Sequence, residues 1–335
     1  MADPPSDSGV PSSLRDPDFY FEDGSVVLSA KDGTQKHTTY FRLHKGMLAR
    51  ASPIFRDMFT LPSPSTVEKY DGAPFVEMHD DAKDLRELIA LLYDPPYIST
   101  ILEGKDFTLR MLGPTRLAKK YEIDWIRKMV ASQLEKHWPG TLREWDTIAD
   151  EQAEITVFMK TNHDAPLPDD TRRLREFPEP LSSILLAREC DVTSILPFAF
   201  YCLLLWPVDP LANYDYAPAW KVPQTDILPP EDWRRLFVAR QRIDRWFSAR
   251  YHPSDIESCV YRSGLCTTTI SLNPAWFSLA KTDDFLRASA VEMRGIRPDC
   301  LGCKKRHEEK IRASRLNFVQ NLTYFFQLSG NSEAA

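Results

Sequence analysis

Twenty-six prolines against twelve glycines set the first limit on what this 335-residue chain can become. A proline has no amide hydrogen and fits poorly inside a regular helix or a central strand, so prolines spaced this closely cut the chain into many short elements. Between them, 43% hydrophobic and 11% aromatic residues supply enough apolar surface for a packed core, and the length suffices for two domains. The net charge of −6 provides no overall basic field for a polyanion, which makes nucleic acid an unfavoured partner. The longest apolar run, Ile195 to Trp206, is interrupted by Pro197 and is shorter than the roughly 20 residues a bilayer requires. It reads as a buried core helix, and no membrane association is expected.

Residues 1–18 are rich in Pro, Ser and Asp and hold almost no large apolar side chains, so a disordered tail is expected there. This stretch shows neither a charged segment followed by an apolar one nor an Arg-rich amphipathic pattern, and a cytoplasmic or nuclear location is expected. Next, Phe19–Phe21, Val26–Leu28 and the stretch Tyr40, Phe41 and Leu43, with a polar Asp32-Gly33 turn, read as a hairpin of strands. Two short helices follow, joined at Ser52, which can cap the second, with Pro53 at its first turn. After a Pro/Ser/Gly-rich loop from Leu61 to Pro74 come the alternating strand Phe75–Met78 and a helix from Asp81 to about Tyr93, stopped by Asp94-Pro95-Pro96. Two more helices fill Thr115 to Trp138, the second opened by Asp124 and ended by Pro139. Beyond residue 140 the periodic segments are all helical: Leu181–Glu189, Val192–Trp206, Glu231–Tyr251 and Lys305–Leu328. The Pro/Asp-rich stretches Thr161–Pro180 and Pro207–Pro230 read as connections. The fold class expected is α+β, a small sheet with helical hairpins over 19–138 and a mostly α-helical region over 139–335.

The stretch Phe41 to Phe59, FRLHKGMLARASPIFRDMF, narrows this further. It resembles the signature of BTB/POZ domains, with His44, Lys45, Leu48, Ala49, Ser52, Phe55, Met58 and Phe59 at the matching positions. Leu91-Leu92-Tyr93 and Leu117-Ala118-Lys119-Lys120-Tyr121 resemble the later helices of that domain, so the similarity covers residues 19–138. The FRDMF wording and the Tyr93-Asp94-Pro95-Pro96 loop look like a fungal-type subgroup with a helical C-terminal region. The resemblance implies a protein-interaction scaffold or adaptor that binds a second copy of itself or a cullin scaffold in ubiquitin-ligase recruitment. Two departures bear on those partners. The acidic position that pairs with the basic residue in swapped homodimers of the family is Ser25 here, opposite a Lys45 that is present. The nearest match to the family's hydrophobic-x-Glu cullin motif, Phe75-Val76-Glu77, reads as strand.

Physically, Phe55, Met58 and Phe59 at helical spacing read as core packing, and His44 as a core histidine whose ring nitrogens bond the backbone. No phosphate loop, nucleophile elbow or HExxH occurs, and the acids at His79-Asp80-Asp81 and Asp169-Asp170 suit helix N-termini, so no catalytic residue is assigned and no enzyme is expected.

Cysteine is the exception. Cys300 and Cys303 have C-x-x-C spacing with Gly302 between them, His307 follows, and Cys259 and Cys266 lie upstream. Two thiolates in a tight turn can share one tetrahedral zinc ion, so a structural zinc held by Cys300 and Cys303 with two of Cys259, Cys266 and His307 is one reading; unrelated intracellular thiols are the other. The basic run Lys304-Lys305-Arg306, with Lys310, Arg312 and Arg315, reads as the solvated face of a helix whose opposite face carries Phe318, Leu322, Phe325 and Phe326. The alternative function, a nuclear transcriptional or chromatin regulator, would use that segment to contact DNA.

Overall fold

The computed structural model describes residues 12–61, 68–104, 106–161, 177–205, 227–250, 257–258, 269–270, 285–286 and 301–328. Strand β2 (Val26–Lys31) runs through a five-stranded sheet and is buried along almost its whole length, as its apolar sequence requires. Strand β3 (His37–Leu43) returns beside it as the expected antiparallel hairpin, with Val26 opposite Leu43 and Lys31 opposite Thr38. Asp32 holds the turn, accepting from the Lys36 amide at 3.0 Å and the Thr34 hydroxyl at 2.9 Å. Strand β1 (Ser12–Tyr20) lies parallel to β3, and β5 (Ala73–Asp81) lies parallel to β2 on its other side. The short β4 (Lys69–Tyr70) pairs antiparallel with β5, which gives the order β1-β3-β2-β5-β4. Between β4 and β5, Asp71 (φ 48°) and Gly72 (φ 77°) both take positive φ, the geometry a two-residue hairpin turn of type I′ needs. This turn and β4 fall inside the stretch Leu61–Pro74 expected to be a loop, while β5 contains the expected strand Phe75–Met78.

Strand β1 also corrects the tail. Residues 1–11 lie outside the described residues, but from Ser12 onward the chain is a strand, fixed by charge more than by apolar surface. Asp16 is buried and accepts from the amides of Asp18 and Phe19, each at 3.0 Å, and from Arg86 Nε at 3.0 Å. The Arg86 guanidinium also binds Asp18 and lies over the Phe19 ring. On the other flank Arg15 reaches Asp71 at 2.6 Å, and the Tyr20 hydroxyl donates to the same carboxylate. Burial and that bond push the Tyr20 hydroxyl up to about 12.

Helices cover the rest of this unit. They are α1 (Lys45–Ala51), α2 (Pro53–Thr60), α3 (Ala82–Tyr93), α4 (Pro95–Glu103), α5 (Phe107–Lys120) and α6 (Asp124–His137). Helix α3 starts where Asp81 accepts from the amides of Lys83 and Asp84. It stops at Asp94, but the two prolines that end it then open α4 at positions where their missing amides cost nothing. Helix α5 begins earlier than expected, at Phe107, because Pro114 is carried inside it. A methyl group on the preceding Gly113 would stand 1.9 Å from an Asp84 carboxylate oxygen, so glycine is what lets α5 come so close to α3.

The chain divides into two compact units, residues 1–132 and 133–335, with the division inside α6 and a few residues before the expected boundary near Trp138-Pro139-Gly140. The described part of the second unit comprises α7 (Leu142–Thr161), α8 (Pro180–Glu189), α9 (Leu196–Leu205), α10 (Pro230–Arg250), α11 (Leu301–Gln320) and α12 (Leu322–Phe325). It also holds a minimal antiparallel ladder of β6 (Glu257–Ser258) and β7 (Thr269–Ile270), so this unit is predominantly rather than wholly helical. Its core is a run of rings. Trp145 contacts Phe177 at 4.7 Å and Tyr201 at 5.6 Å, Tyr201 contacts Phe318 at 5.5 Å, and Phe318 meets Trp246 at 5.3 Å and Phe285 at 5.0 Å. Glu179 caps α8 from a buried position, accepting from the amides of Leu181 and Ser182; burial raises its carboxyl above the ordinary range against the pull of those hydrogen bonds. The architecture as a whole is mixed α+β.

Candidate interaction surface

The signature residues assemble around the joint between α1 and α2. Ser52 closes α1 by donating its amide to the Leu48 carbonyl and opens α2 by accepting from the Phe55 amide at 3.1 Å. Its hydroxyl then donates to the Tyr121 carbonyl at 2.5 Å. One buried oxygen therefore caps a helix and ties it to the end of α5, at a point 69 residues away in sequence. Phe55 stacks on the same Tyr121 with ring centroids 4.5 Å apart. The Tyr121 hydroxyl donates to Asp80 on β5, which also receives Lys120 Nζ at 2.5 Å. Burial, then the bond to Asp80, raise the Tyr121 hydroxyl far above its usual range.

The eight residues are used unequally. Leu48, Ser52 and Phe55 are buried, Ala49, Met58 and Phe59 are half-buried, and Lys45 extends its ammonium over the Phe59 ring at 5.6 Å. Core packing thus holds for Phe55 and only partly for Met58 and Phe59. His44 requires a correction. Its ring is half-buried and its nitrogens meet side chains rather than backbone: Nε2 lies 3.1 Å from the exposed Asp23 carboxylate and Nδ1 lies 3.4 Å from the Tyr93 hydroxyl. That hydroxyl also accepts from the His44 amide at 2.9 Å, and Phe21 stacks on the Tyr93 ring at 5.3 Å. With both ring nitrogens engaged, the imidazole acts as a clasp between the β1–β2 connection and the end of α3. Lys45 donates its amide to Ser25 Oγ at 3.0 Å, so a neutral hydroxyl occupies the place where the family resemblance implies an acid.

Tyr121, Asp80, Tyr93 and Asp23 complete this joint, and sequence reasoning missed their roles. The surface it supports is apolar. On α2 and at its C-terminal cap, Ile54, Met58 and Leu61 recur at the spacing of one helical stripe, on the flank beside Phe55, with Met58 half-buried between two exposed residues. Ile54 is 38% and Leu61 67% exposed, and on α1 Met47 is 42% exposed. Phe75-Val76-Glu77, the nearest match to the cullin motif, is strand as expected, paired with Val27-Leu28-Ser29.

Of the five residues expected to hold zinc, Cys259, Cys266 and Cys300 lie outside the described residues, as do the side chains of Cys303 and His307. Among the described residues no group of three or more His, Cys, Asp or Glu side chains is arranged to hold a metal ion. The basic run at the C-terminus is also corrected in one member. Arg315 is buried, with its guanidinium on the Asp146 carboxylate and the Leu286 carbonyl, so it belongs to the core and not to a solvated face. Exposed Glu308 and Glu309 interrupt what remains of that positive stripe. No helix among the described residues is long and apolar enough to cross a membrane.

Compared with known proteins, the chain matches no protein-family model, no curated protein and no solved structure.

Proposed function

We propose that residues 19–138 form a BTB/POZ-type protein-interaction module, preceded by the β1 strand, and that the chain is a non-enzymatic scaffold or adaptor acting in the cytosol or nucleus. The observation that supports this reading is the way the signature stretch is used as a single piece. Leu48, Ser52 and Phe55 lock the α1–α2 joint onto Tyr121, while Ile54 and Leu61 remain exposed on either side of a half-buried Met58. A rigid apolar stripe on a well-anchored helix is suited to holding a partner protein, because its side chains lose little entropy on binding. The partner is a second copy of the chain or a cullin-type scaffold.

Affinity purification of the intact protein beside an Ile54→Glu, Leu61→Glu variant tests this. Both positions are exposed, so the thermal transition should be unchanged while the principal bound protein is lost. If the variant keeps its fold and retrieves the same proteins in the same amounts, the stripe is not the binding surface and the reading fails.

A further inference from the structure

Helix α10 has two faces of opposite chemistry. Leu236, Ala239, Ile243, Trp246 and Phe247 are buried in the ring cluster of the second unit. The opposite face is neither polar throughout nor closed off. At 3.6 residues per turn, Trp233, Arg234, Phe237, Arg240 and Arg245 all fall within an arc of about 140° centred on Phe237. Phe237 is 67% exposed and Trp233 37%, an unusual display for two large aromatic side chains one turn apart.

The arginines of this helix divide into two sets. Arg235 is held by the buried Asp232 at 2.8 Å, Arg242 lies over the Tyr324 ring at 4.5 Å and Arg250 over the Trp246 ring at 4.8 Å. Those three serve the unit's own packing. Arg234, Arg240 and Arg245 are exposed and have no ion-pair or ring partner among the described residues. They flank the two aromatic residues, and Asp244 is the one acid within the arc.

We propose that this face of α10 docks an acidic amphipathic helix of a partner protein. Exposed aromatic residues ringed by arginines have the composition of binding hot spots, in which the rings supply the desolvated centre and the guanidiniums grip carboxylates in forked pairs. Charge complementarity selects the partner. The chain carries −6 overall, so this local positive patch draws an acidic segment to one place while the rest of the surface repels it. A nucleic acid fits less well, because its phosphates would meet Asp244, two turns from Phe237 on the same face, where a protein helix can place a lysine or an amide. A lipid surface also fits less well, since an interfacial helix buries a broad apolar face and α10 has spent its own in the core. The inference does not depend on the BTB/POZ reading: all its residues lie in the second unit, and the Ile54 and Leu61 substitutions leave them untouched.

The test uses the intact protein and a fluorescent synthetic helical peptide with leucines along one face and glutamates on the others, beside an oligouridylate and phosphatidylcholine–phosphatidylserine vesicles. Binding to the peptide should weaken about 30-fold in Phe237→Ala, the loss of a hot-spot anchor. In Arg240→Glu it should weaken and lose much of its dependence on salt. Both positions are exposed, so an unchanged thermal transition shows that the loss is one of contact. Peptide binding that is absent, or that is indifferent to both substitutions, overturns the proposal. So does tighter binding of the oligouridylate or the vesicles with the same sensitivity to Phe237→Ala.

Discussion

Replacing Phe55 by alanine is expected to destabilise the N-terminal unit by about 3 to 5 kcal/mol, the usual cost of emptying the site of a buried phenylalanine. Phe55 is 1% exposed, and its ring is packed between Phe59 and Tyr121. The cavity would open directly beneath Tyr121, whose carbonyl receives Ser52 and whose hydroxyl serves Asp80. Relaxation to fill the space would therefore strain one buried and one part-buried hydrogen bond, which keeps the cost at the upper part of that range. The neighbouring Arg56 is exposed, and its replacement by alanine should change stability by less than about 0.5 kcal/mol. Urea unfolding of the two variants measures both, and the opposite ordering would contradict the assignment of the α2 faces.

The second large effect is expected in the helical unit. Asp232 has no exposed side-chain surface and receives both Arg188 nitrogens, at 2.5 and 2.6 Å, together with Arg235 at 2.8 Å. Removing a partner from such a site leaves a carboxylate without water and with half its compensation gone. Arg188→Ala is accordingly expected to cost about 3 kcal/mol. Asp232→Ala should cost less, because Arg188 and Arg235 are about a third exposed and can turn to water once their anion is gone. A double-mutant cycle over Arg188 and Asp232 by urea unfolding checks both numbers and the coupling between them. Equal and small effects from the two single changes would mean that the carboxylate is hydrated and that α8 and α10 are held together by apolar packing alone.

What was legible in the sequence was local. Helix α3 shows its cap at Asp81 and its stop at Asp94, α8 and α10 show their apolar periodicity although Pro180 and Pro230, read as the ends of connections, are their first residues, and the β2–β3 hairpin shows its apolar runs and the Asp32-Gly33 turn. The strand at Phe75–Met78 was readable from alternation, though pairing extends it to Ala73 and Asp81. The hairpin turn at Asp71-Gly72 was equally local, but the Pro/Ser-rich segment before it hid the signal. The remaining differences come from contacts distant in sequence. Nothing within residues 12–18 indicates a strand; Arg86, 70 residues from Asp16, supplies the order. In the same way His44 is set by Asp23 and Tyr93, and Arg315 is drawn into the core by Asp146, 169 residues away. The charge run places Arg315 on a solvated face with other cations, whereas the fold pairs it with an acid that no periodicity connects to it. Within the candidate site, Ser52 and Phe55 were readable because capping and helical spacing are short-range rules, and Tyr121 and Asp80 were not because their roles exist only once α5 reaches β5.

The central claim is that the N-terminal unit is a self-sufficient interaction module. The measurement that tests it most directly is equilibrium unfolding of residues 12–138 expressed alone, a fragment that keeps both β1 and the whole of α6, followed by capture of the protein that the intact chain binds. A single cooperative transition, with the captured protein retained by the fragment and lost on Ile54→Glu, Leu61→Glu, is the predicted result. A fragment that is unfolded under conditions where the intact chain is folded, or one that folds cooperatively yet captures nothing the intact chain captures, would contradict it.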